Sequence, residues 1–141
     1  MKIVCNRGTC QLTSNEEFSV RLVDCDEYCS TEEWSGPIAD FLVLVETPRK
    51  GLVVVEMTTG SKSATHVRDQ IQGGVSMAEL VLNENFGNTL FPLFLHRGGI
   101  KSIEYRIFKS DKCRIEYKGK KYRIIVARCG IILEDLIKKF S

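Results

Sequence analysis

Apolar residues form two neighbouring runs near the middle of the chain. The runs cover residues 38–46 (IADFLVLVE) and 52–57 (LVVVEM), and the segment 47–51 (TPRKG) separates them. Runs of this length that are rich in Val and Leu and bounded by Pro and Gly predict the two strands of a β-hairpin. Because nearly every residue in both runs is apolar, we expect both faces of the sheet to be covered.

A helical period follows the hairpin. Between Ala64 and Leu82 apolar residues recur every three or four positions, and Ser63 precedes them as a suitable N-cap. This pattern predicts an amphipathic helix. Gly73 and Gly74 lower the stability of such a helix, so they indicate either close packing against the sheet or a break into two shorter helices.

The remaining segments complete a mixed α/β pattern. Residues 16–23 fit either a short helix or a strand, because Phe18, Val20 and Leu22 alternate with polar residues. Strands are expected at residues 89–96, 103–108, 112–117 and 122–127, with a turn at 118–120, and a helix is expected at 133–140. Pro92 indicates an edge strand or a bulge. The predicted fold is a mixed β-sheet with flanking helices.

The composition is typical of a single globular domain. The chain has 141 residues, of which 43% are hydrophobic and 27% charged, and it contains no repeat or linker-like segment. We therefore expect one domain over residues 1–141, made of a cysteine-containing segment (1–35), the hairpin and helix (36–82) and a basic, strand-rich part (83–141). No apolar stretch reaches the ~18 to 20 residues of a membrane span, and no signal-peptide core is present, which predicts a cytoplasmic protein without membrane partners.

Positive charge is concentrated in the last third of the chain. Residues 1–95 contain seven Lys or Arg and thirteen Asp or Glu, whereas residues 96–141 contain thirteen and five. Basic residues that interleave with aromatic residues are candidates for contact with nucleic acid. These candidates are Arg114, Lys118, Lys120, Lys121 and Arg123. The alternative is a half-exposed strand pair on which Lys and Arg prevent edge-to-edge aggregation.

The six cysteines leave three interpretations open. Two pairs, Cys5 with Cys10 and Cys25 with Cys29, have a spacing that is compatible with a structural zinc site, with disulfides or with free thiols. A third pair flanks the last predicted hairpin, and these two cysteines could face each other across it. They are Cys113 and Cys129.

Two carboxylates of the predicted hairpin are candidate metal ligands. Asp40 begins the first strand and Glu56 lies near the end of the second. If the loop consists of residues 48–50, Thr47 pairs with Gly51, and the two residue numbers of every pair add up to 98. Asp40 then lies opposite Thr58. Asp40 and Glu56 are then diagonal neighbours about 7 to 8 Å apart, within reach of one hard cation. The alternative is two solvated acids at the strand ends.

The segment around these acids resembles the PD-(D/E)xK nuclease superfamily, which has the restriction-endonuclease-like fold. The motif residues are Gly36-Pro37-Ile38-Ala39-Asp40, then Val53-Val54-Val55-Glu56-Met57-Thr58, followed by a helix. The resemblance implies hydrolysis of phosphodiester bonds in DNA or RNA. It also implies that Asp40, Glu56 and the carbonyl of Met57 bind Mg²⁺ or Mn²⁺. Thr58 stands where the superfamily has its Lys.

The same resemblance suggests further site residues. Some members of the superfamily relocate the Lys, and Lys62 is the residue that could replace it here. Gln70 is similar to a helical Gln that faces the site, with a solvated polar stripe as the alternative, and His66 lies on the same helical face. Glu16 and Glu17 are candidates for an additional acidic residue from the N-terminal part.

Three classes of function remain open after these observations. The chain could be a nuclease, an inactive protein of the same fold that binds nucleic acid, or an interaction subunit of a larger assembly. A homodimer is a further expectation, since the chain is similar in size to the dimeric archaeal Holliday junction resolvases, although it lacks an evident form of their N-terminal signature.

Overall fold

A five-stranded mixed sheet forms the centre of the computed structural model, which describes residues 1–31, 34–82 and 85–141. The strands are β1 (Lys2–Arg7), β2 (Cys10–Ser14), β3 (Ser19–Asp24), β4 (Phe41–Thr47), β5 (Gly51–Thr58), β6 (Leu90–His96), β7 (Arg114–Tyr117), β8 (Lys120–Arg123) and β9 (Ile125–Arg128). The helices are α1 (Cys25–Thr31), α2 (Ala64–Met77, continued by a π-helical turn at Ala78–Leu82), α3 (Ser102–Lys109) and α4 (Leu133–Phe140). The predicted mixed α/β class is confirmed.

The strand order in the sheet is β3-β4-β5-β6-β9. Strands β3, β4 and β5 form an antiparallel meander, and β5, β6 and β9 run parallel. Helix α2 connects β5 to β6, as a crossover between parallel strands requires. Strands β1 and β2 form a separate hairpin, and so do β7 and β8. The carboxyl ends of β5, β6 and β9 therefore lie at the same edge of the sheet.

Both faces of the sheet are buried, as the apolar runs predict. On one face Leu42 and Val54 pack with residues of α2, including Ile71. On the other face Val43 and Val53 pack with the β1–β2 hairpin and α4. This double coverage explains why β4 and β5 are apolar on almost every residue.

Gly73 and Gly74 allow α2 to press against the chain just before β4. A Cβ atom at Gly73 would lie 1.7 Å from the carbonyl oxygen of Pro37, and one at Gly74 would lie 2.9 Å from the Cβ atom of Ala39. The helix continues without a break to Met77. Of the two interpretations of the glycine pair, close packing is correct. It fixes the segment that leads into Asp40.

The predicted strand at residues 103–108 is wrong, because this segment belongs to helix α3. Its sequence alternates in a way that fits a strand, but Glu104 and Phe108 are four residues apart and both face α2 and β6. The Glu104 carboxylate accepts a hydrogen bond from the backbone N–H of Ala64 at 2.8 Å, and Phe108 stacks on Phe94. A helix places Glu104 and Phe108 on one face without Arg106, whereas a strand would place the charged Arg106 on that buried face as well.

Other predicted segments differ in detail. Residues 122–127 divide between β8, which pairs with β7, and β9, which joins the central sheet.

Strand β6 is internal rather than an edge, because β5 and β9 flank it. Pro92 has no N–H to donate to a neighbouring strand. It is tolerated because β9 pairs only with residues 93–96 and so requires no hydrogen bond from Pro92. The ambiguous segment 16–23 becomes mainly strand β3, and the β1–β2 hairpin was not predicted. The boundary expected after residue 82 adjoins residues outside the described part.

The length and apolarity of the helices decide whether any of them could span a membrane. In the ranges that the structure describes, no helix combines the length and the apolar character that crossing a bilayer requires.

Candidate functional site

Asp40 directly precedes β4, and Glu56 lies near the end of β5. Phe41 pairs with Val55, so the numbers of paired residues sum to 96, not 98, and the backbone N–H of Asp40 also donates to the carbonyl of Val55, at 3.0 Å. The predicted register was wrong by two residues because five residues, not three, separate the pair Val45 and Gly51. Asp40 therefore does not continue the regular pairing, but its carboxylate accepts a hydrogen bond from the N–H of Met57, the residue after Glu56. A shared metal site of the two acids stays a prediction.

Asp40 is held by the neighbouring strand and by the N-terminal hairpin. Its Oδ2 atom accepts a hydrogen bond from the backbone N–H of Met57 at 2.8 Å, and its Oδ1 atom lies 3.4 Å from Nε of Arg7. The guanidinium group of Arg7 also lies 3.0 Å from Asp26 and 4.9 Å from the ring centroid of Phe41. Sequence reasoning missed Arg7, since no local pattern identifies the β1–β2 hairpin as a neighbour of Asp40.

Glu56 is a buried carboxylate with an incomplete set of partners. The residue is 1% exposed, and its Oε2 atom lies 2.5 Å from Nζ of Lys62. Its Oε1 atom has no hydrogen-bond partner among the described residues. Burial, followed by the charge of Asp40, raises the pKa of Glu56 from 4.5 to about 7, although the ammonium group of Lys62 opposes this shift.

Lys62 reaches the acids from the turn between β5 and α2. Its Nζ atom donates to Glu56 and also to the carbonyl oxygen of Met57, at 3.2 Å. Lys62 directly precedes the N-cap Ser63, whose hydroxyl accepts a hydrogen bond from the backbone N–H of His66, as predicted. Thr58, at the motif position of the Lys, uses its hydroxyl to accept a hydrogen bond from the backbone N–H of Gly60. The structure thus brings together both acids, the Met57 carbonyl and Lys62.

A cavity opens beside this cluster. Its volume is about 190 Å³, and Thr58, Lys62 and Phe94 line one part of it, with Lys101 and Glu104 of the α3 region on the other. Glu104 caps the first turn of α2 through the N–H of Ala64. The Lys62 side chain is 27% exposed, so its ammonium group connects buried Glu56 to an accessible space.

The other residues that the resemblance suggested make no hydrogen bond or ion pair with Asp40, Glu56 or Lys62 in the described part of the chain. Gln70 is half-buried on α2, one turn before Gly74, and has no side-chain hydrogen bond to a described residue. Glu17 pairs with Lys138 at 2.6 Å and lines a cavity with Lys50 at the β4–β5 turn. That turn is at the opposite end of β5 from Glu56. Glu16 lies in the loop next to Glu17, so neither acid joins the cluster.

The predicted basic surface is spread along α2. The hairpin β7–β8 packs on this helix, where Nε of Arg68 donates to the carbonyl of Arg114 at 3.2 Å. At its tip, Lys118 donates to the carbonyl of Gly87, which lies beside Lys50 at the far end of the sheet. Arg114 and its partner Arg123 are therefore nearer the start of α2, whereas Lys118 and Lys120 are at the far end; Lys121 lies between them, opposite Glu116.

The cysteines form a pair that the spacing did not indicate. Cys10 is bonded to Cys129, which joins β2 to the end of β9. Cys113 does not face Cys129, because it lies under α2, where its thiol contacts the carbonyl of Ala64. The disulfide also removes Cys10 from the predicted four-thiolate zinc site, and Cys25 lies in the core cluster on the other side of the sheet from Cys5. Burial raises the pKa of Cys5 to about 12.

The side chains and carbonyl around Lys62 offer oxygen atoms that could hold a metal ion. Within residues 1–31, 34–82 and 85–141 no group of three or more His, Cys, Asp or Glu side chains is placed to hold a metal. The protein ligands would therefore be two carboxylates and the Met57 carbonyl, an oxygen set that Mg²⁺ and Mn²⁺ prefer, usually together with water. The unpartnered Oε1 atom of Glu56 is the observation that favours a cation here, since a buried carboxylate oxygen without a partner is costly.

This geometry is the basis for any functional assignment of the chain. No protein-family model, curated protein or solved structure matches the chain.

Proposed function

We propose that the chain is a nuclease of the restriction-endonuclease-like type, which hydrolyses phosphodiester bonds in DNA or RNA with Mg²⁺ or Mn²⁺. The observation that carries this proposal is the position of the Lys62 ammonium group. Although Thr58 occupies the motif position, Nζ of Lys62 lies 2.5 Å from Glu56 and 3.2 Å from the Met57 carbonyl. A buried carboxylate, a carbonyl and a cationic side chain therefore lie in contact, and Asp40 is bonded to the N–H of the same Met57.

Each residue of the cluster has a distinct role in this proposal. Asp40, Glu56 and the Met57 carbonyl would hold the divalent ion, which lowers the pKa of a bound water and neutralises charge on the phosphate. Arg7 and the N–H of Met57 fix the orientation of the Asp40 carboxylate. The Lys62 ammonium group orients the attacking water or donates to a phosphate oxygen, a role that the uncharged hydroxyl of Thr58 does not supply.

A cleavage assay tests the proposal directly. Linear double-stranded, single-stranded and branched DNA and RNA are incubated with Mg²⁺ or Mn²⁺ and with the wild-type chain, Asp40→Asn or Glu56→Gln. We expect metal-dependent cleavage of at least one substrate by the wild type and a loss of roughly 100-fold or more in each variant. Asp69→Asn, which removes an exposed carboxylate of α2, is the matched control and should retain activity. Equal cleavage by all four proteins would disprove the assignment.

A second candidate is a nucleic-acid-binding protein of the same fold without catalysis. The ion pair of Lys62 with Glu56 favours it, because the ammonium group already supplies a positive charge to the buried carboxylate. Salt-dependent binding of nucleic acid without cleavage in either metal would support this candidate. The absence of both activities would leave a role as an interaction subunit.

A further inference from the structure

A second cluster of polar side chains lies at the carboxyl ends of β6 and β9. It surrounds a cleft of about 180 Å³. The cleft is lined by Thr9, Gln11, His96, Arg97, Arg128, Cys129 and Gly130. The lining contains two guanidinium groups, one imidazole and several uncharged groups, and none of these lining residues is a carboxylate. The cleft is therefore a place where an anion would be favoured.

The two arginines are free to bind a ligand. Nη1 of Arg97 donates to the carbonyl of Thr9 at 3.3 Å, which leaves its other N–H groups available. Arg128 is the register partner of His96 on the adjacent strand, and the N–H of Cys129 donates to the carbonyl of His96 at 3.0 Å. Among the described residues, neither Arg97 nor Arg128 has a carboxylate within 4.0 Å.

His96 provides an independent indication of a ligand. It is 8% exposed, and its Nδ1 atom is buried without a hydrogen-bond partner in the part of the chain that the structure describes. A buried polar atom without a partner is costly, and a bound ligand would supply the missing partner. Arg128 is the neighbour of His96 on the adjacent strand, and burial, followed by the charge of Arg128, lowers the pKa of His96.

We propose that this cleft binds a phosphate group of a nucleotide strand. The planar guanidinium fork matches two oxygen atoms of a phosphate, and a pair of arginines with a histidine offers several donors around one tetrahedral anion. The assignment to a nucleotide strand, rather than to another phosphate compound, rests on the proposed nuclease function.

The distance between the cleft and the acid cluster fits a strand that occupies both. Thr58 pairs with His96 on the adjacent parallel strand, and Glu56 lies two residues before Thr58. Strand spacing and rise place the Cα atoms of Glu56 and His96 about 8 Å apart. This separation is short enough for one nucleotide strand to place a phosphate in the cleft while a neighbouring bond lies at Asp40 and Glu56.

Binding measurements without metal test this site separately from catalysis. Fluorescence anisotropy with a short labelled single-stranded DNA, in EDTA, compares the wild-type chain with the double variant Arg97→Gln/Arg128→Gln. We expect roughly tenfold weaker binding at low salt and a salt dependence that is lower by about 0.7 for each lost contact. The matched control is Arg49→Gln/Lys50→Gln, which removes the same charge at the opposite end of the sheet and should bind like the wild type.

Inorganic phosphate and two forms of the DNA identify the group that is bound. Titration with phosphate should shift the amide NMR signals of Gly98 and Gly130 in the wild type but not in the arginine variant. If binding of DNA strands with and without a 5′-phosphate depends on the two arginines, the bound group is a backbone phosphodiester. If only binding of the phosphorylated strand depends on them, the bound group is a terminal phosphate monoester. Both results support a phosphate site.

The two proposals fail in different ways. If the arginine variant binds DNA like the control and phosphate shifts neither signal, the phosphate site is disproved even if the chain cleaves DNA. If no substrate is cleaved but binding depends on Arg97 and Arg128, the nuclease assignment fails and the phosphate site stands. Thermal unfolding of the variants, whose changed residues are exposed, verifies that each is folded.

Discussion

Burial and ion pairing act against each other at Glu56. The side chain is almost completely buried, which favours the neutral acid, while Lys62 favours the carboxylate. Burial is the larger effect, and the charge of Asp40 adds to it, so the carboxyl group takes up a proton near neutral pH. A divalent cation would displace that proton, as metal binding to a carboxylate does.

The raised pKa of Glu56 predicts how stability depends on pH. Between about 4.5 and about 7 the folded chain keeps a proton on Glu56 that the unfolded chain has released. We therefore expect this group to stabilise the fold at about pH 5 and to lose that contribution as the pH rises through about 7. Urea unfolding in EDTA, compared between the wild type and Glu56→Gln, measures the difference. Parallel pH profiles of the two proteins would contradict the assignment of the shift to Glu56.

The Lys62 contacts predict opposite effects on metal binding and on catalysis. Its ammonium group lies against Glu56 and the Met57 carbonyl, so it competes with a cation for the same oxygens. We expect Lys62→Met to bind Mn²⁺ more tightly than the wild type in calorimetry, yet to cleave substrate roughly 100-fold or more slowly. Lys101→Met, in the same cavity, should leave Mn²⁺ binding unchanged. Loss of Mn²⁺ binding in Lys62→Met would show that the lysine has a structural role instead.

Sequence patterns identified some of these residues and not others. Asp40 and Glu56 could be proposed as site residues because a carboxylate stands out in an apolar strand, and this assignment stays a prediction. Lys62 could be suggested only through the family resemblance. Arg7 and the pair of His96 with Arg128 could not be predicted, since each becomes part of a site through a strand that lies distant in sequence.

At the scale of elements, the contact between α2 and the segment before β4 positions Asp40. The helix approaches so closely that Gly73 leaves no space for a side chain beside Pro37. Residues 37–40 are thereby held between α2 and β5, and the N–H of Asp40 donates to the carbonyl of Val55 at 3.0 Å. The glycine pair therefore positions Asp40 through close packing of the backbone.

Substitution of Gly73 tests this contact. In an unconstrained helix Gly→Ala stabilises by about 1 kcal/mol, but here the added Cβ atom would lie 1.7 Å from a backbone oxygen. We expect Gly73→Ala to destabilise the protein by roughly 1 to 3 kcal/mol in urea unfolding and to weaken Mn²⁺ binding. Asp69→Ala, at an exposed position of α2, should change stability by less than about 0.5 kcal/mol. A stabilised Gly73→Ala variant would contradict the close packing.

Elements with one dominant period could be predicted, whereas elements that depend on distant contacts could not. The β4–β5 hairpin, α2 and α4 follow from their apolar patterns. Residues 103–108 support both a strand and a helix locally, and the contacts of Glu104 and Phe108 decide in favour of the helix. The division of residues 122–127 into two strands is decided by β6, which offers a free edge to β9.

At the scale of the whole molecule, one covalent link connects the two ends of the chain. The disulfide joins Cys10 and Cys129 across 119 residues of sequence and attaches the β1–β2 hairpin to the end of β9. The hairpin supplies Arg7 to the acid cluster and Thr9 to the arginine cleft. Sequence spacing could not identify this pair, because the two strands meet only in the folded sheet.

Reduction tests the contribution of this link. A crosslink over so long a loop restricts the unfolded chain, and its loss should lower the free energy of unfolding by about 2 to 5 kcal/mol. We expect dithiothreitol to lower the melting temperature of the wild type and to have no such effect on Cys10→Ala/Cys129→Ala. Equal melting temperatures of the wild type with and without reductant would indicate that the link does not form.

The central claim is that Asp40, Glu56 and the Met57 carbonyl bind one divalent ion. A crystal soaked in Mn²⁺ and measured for anomalous scattering tests it most directly. We expect one anomalous peak about 2.0 to 2.3 Å from an oxygen of each of these three residues, with the Lys62 ammonium group moved away from Glu56. A crystal at saturating Mn²⁺ with no peak there, and with Lys62 still bonded to Glu56, would contradict it.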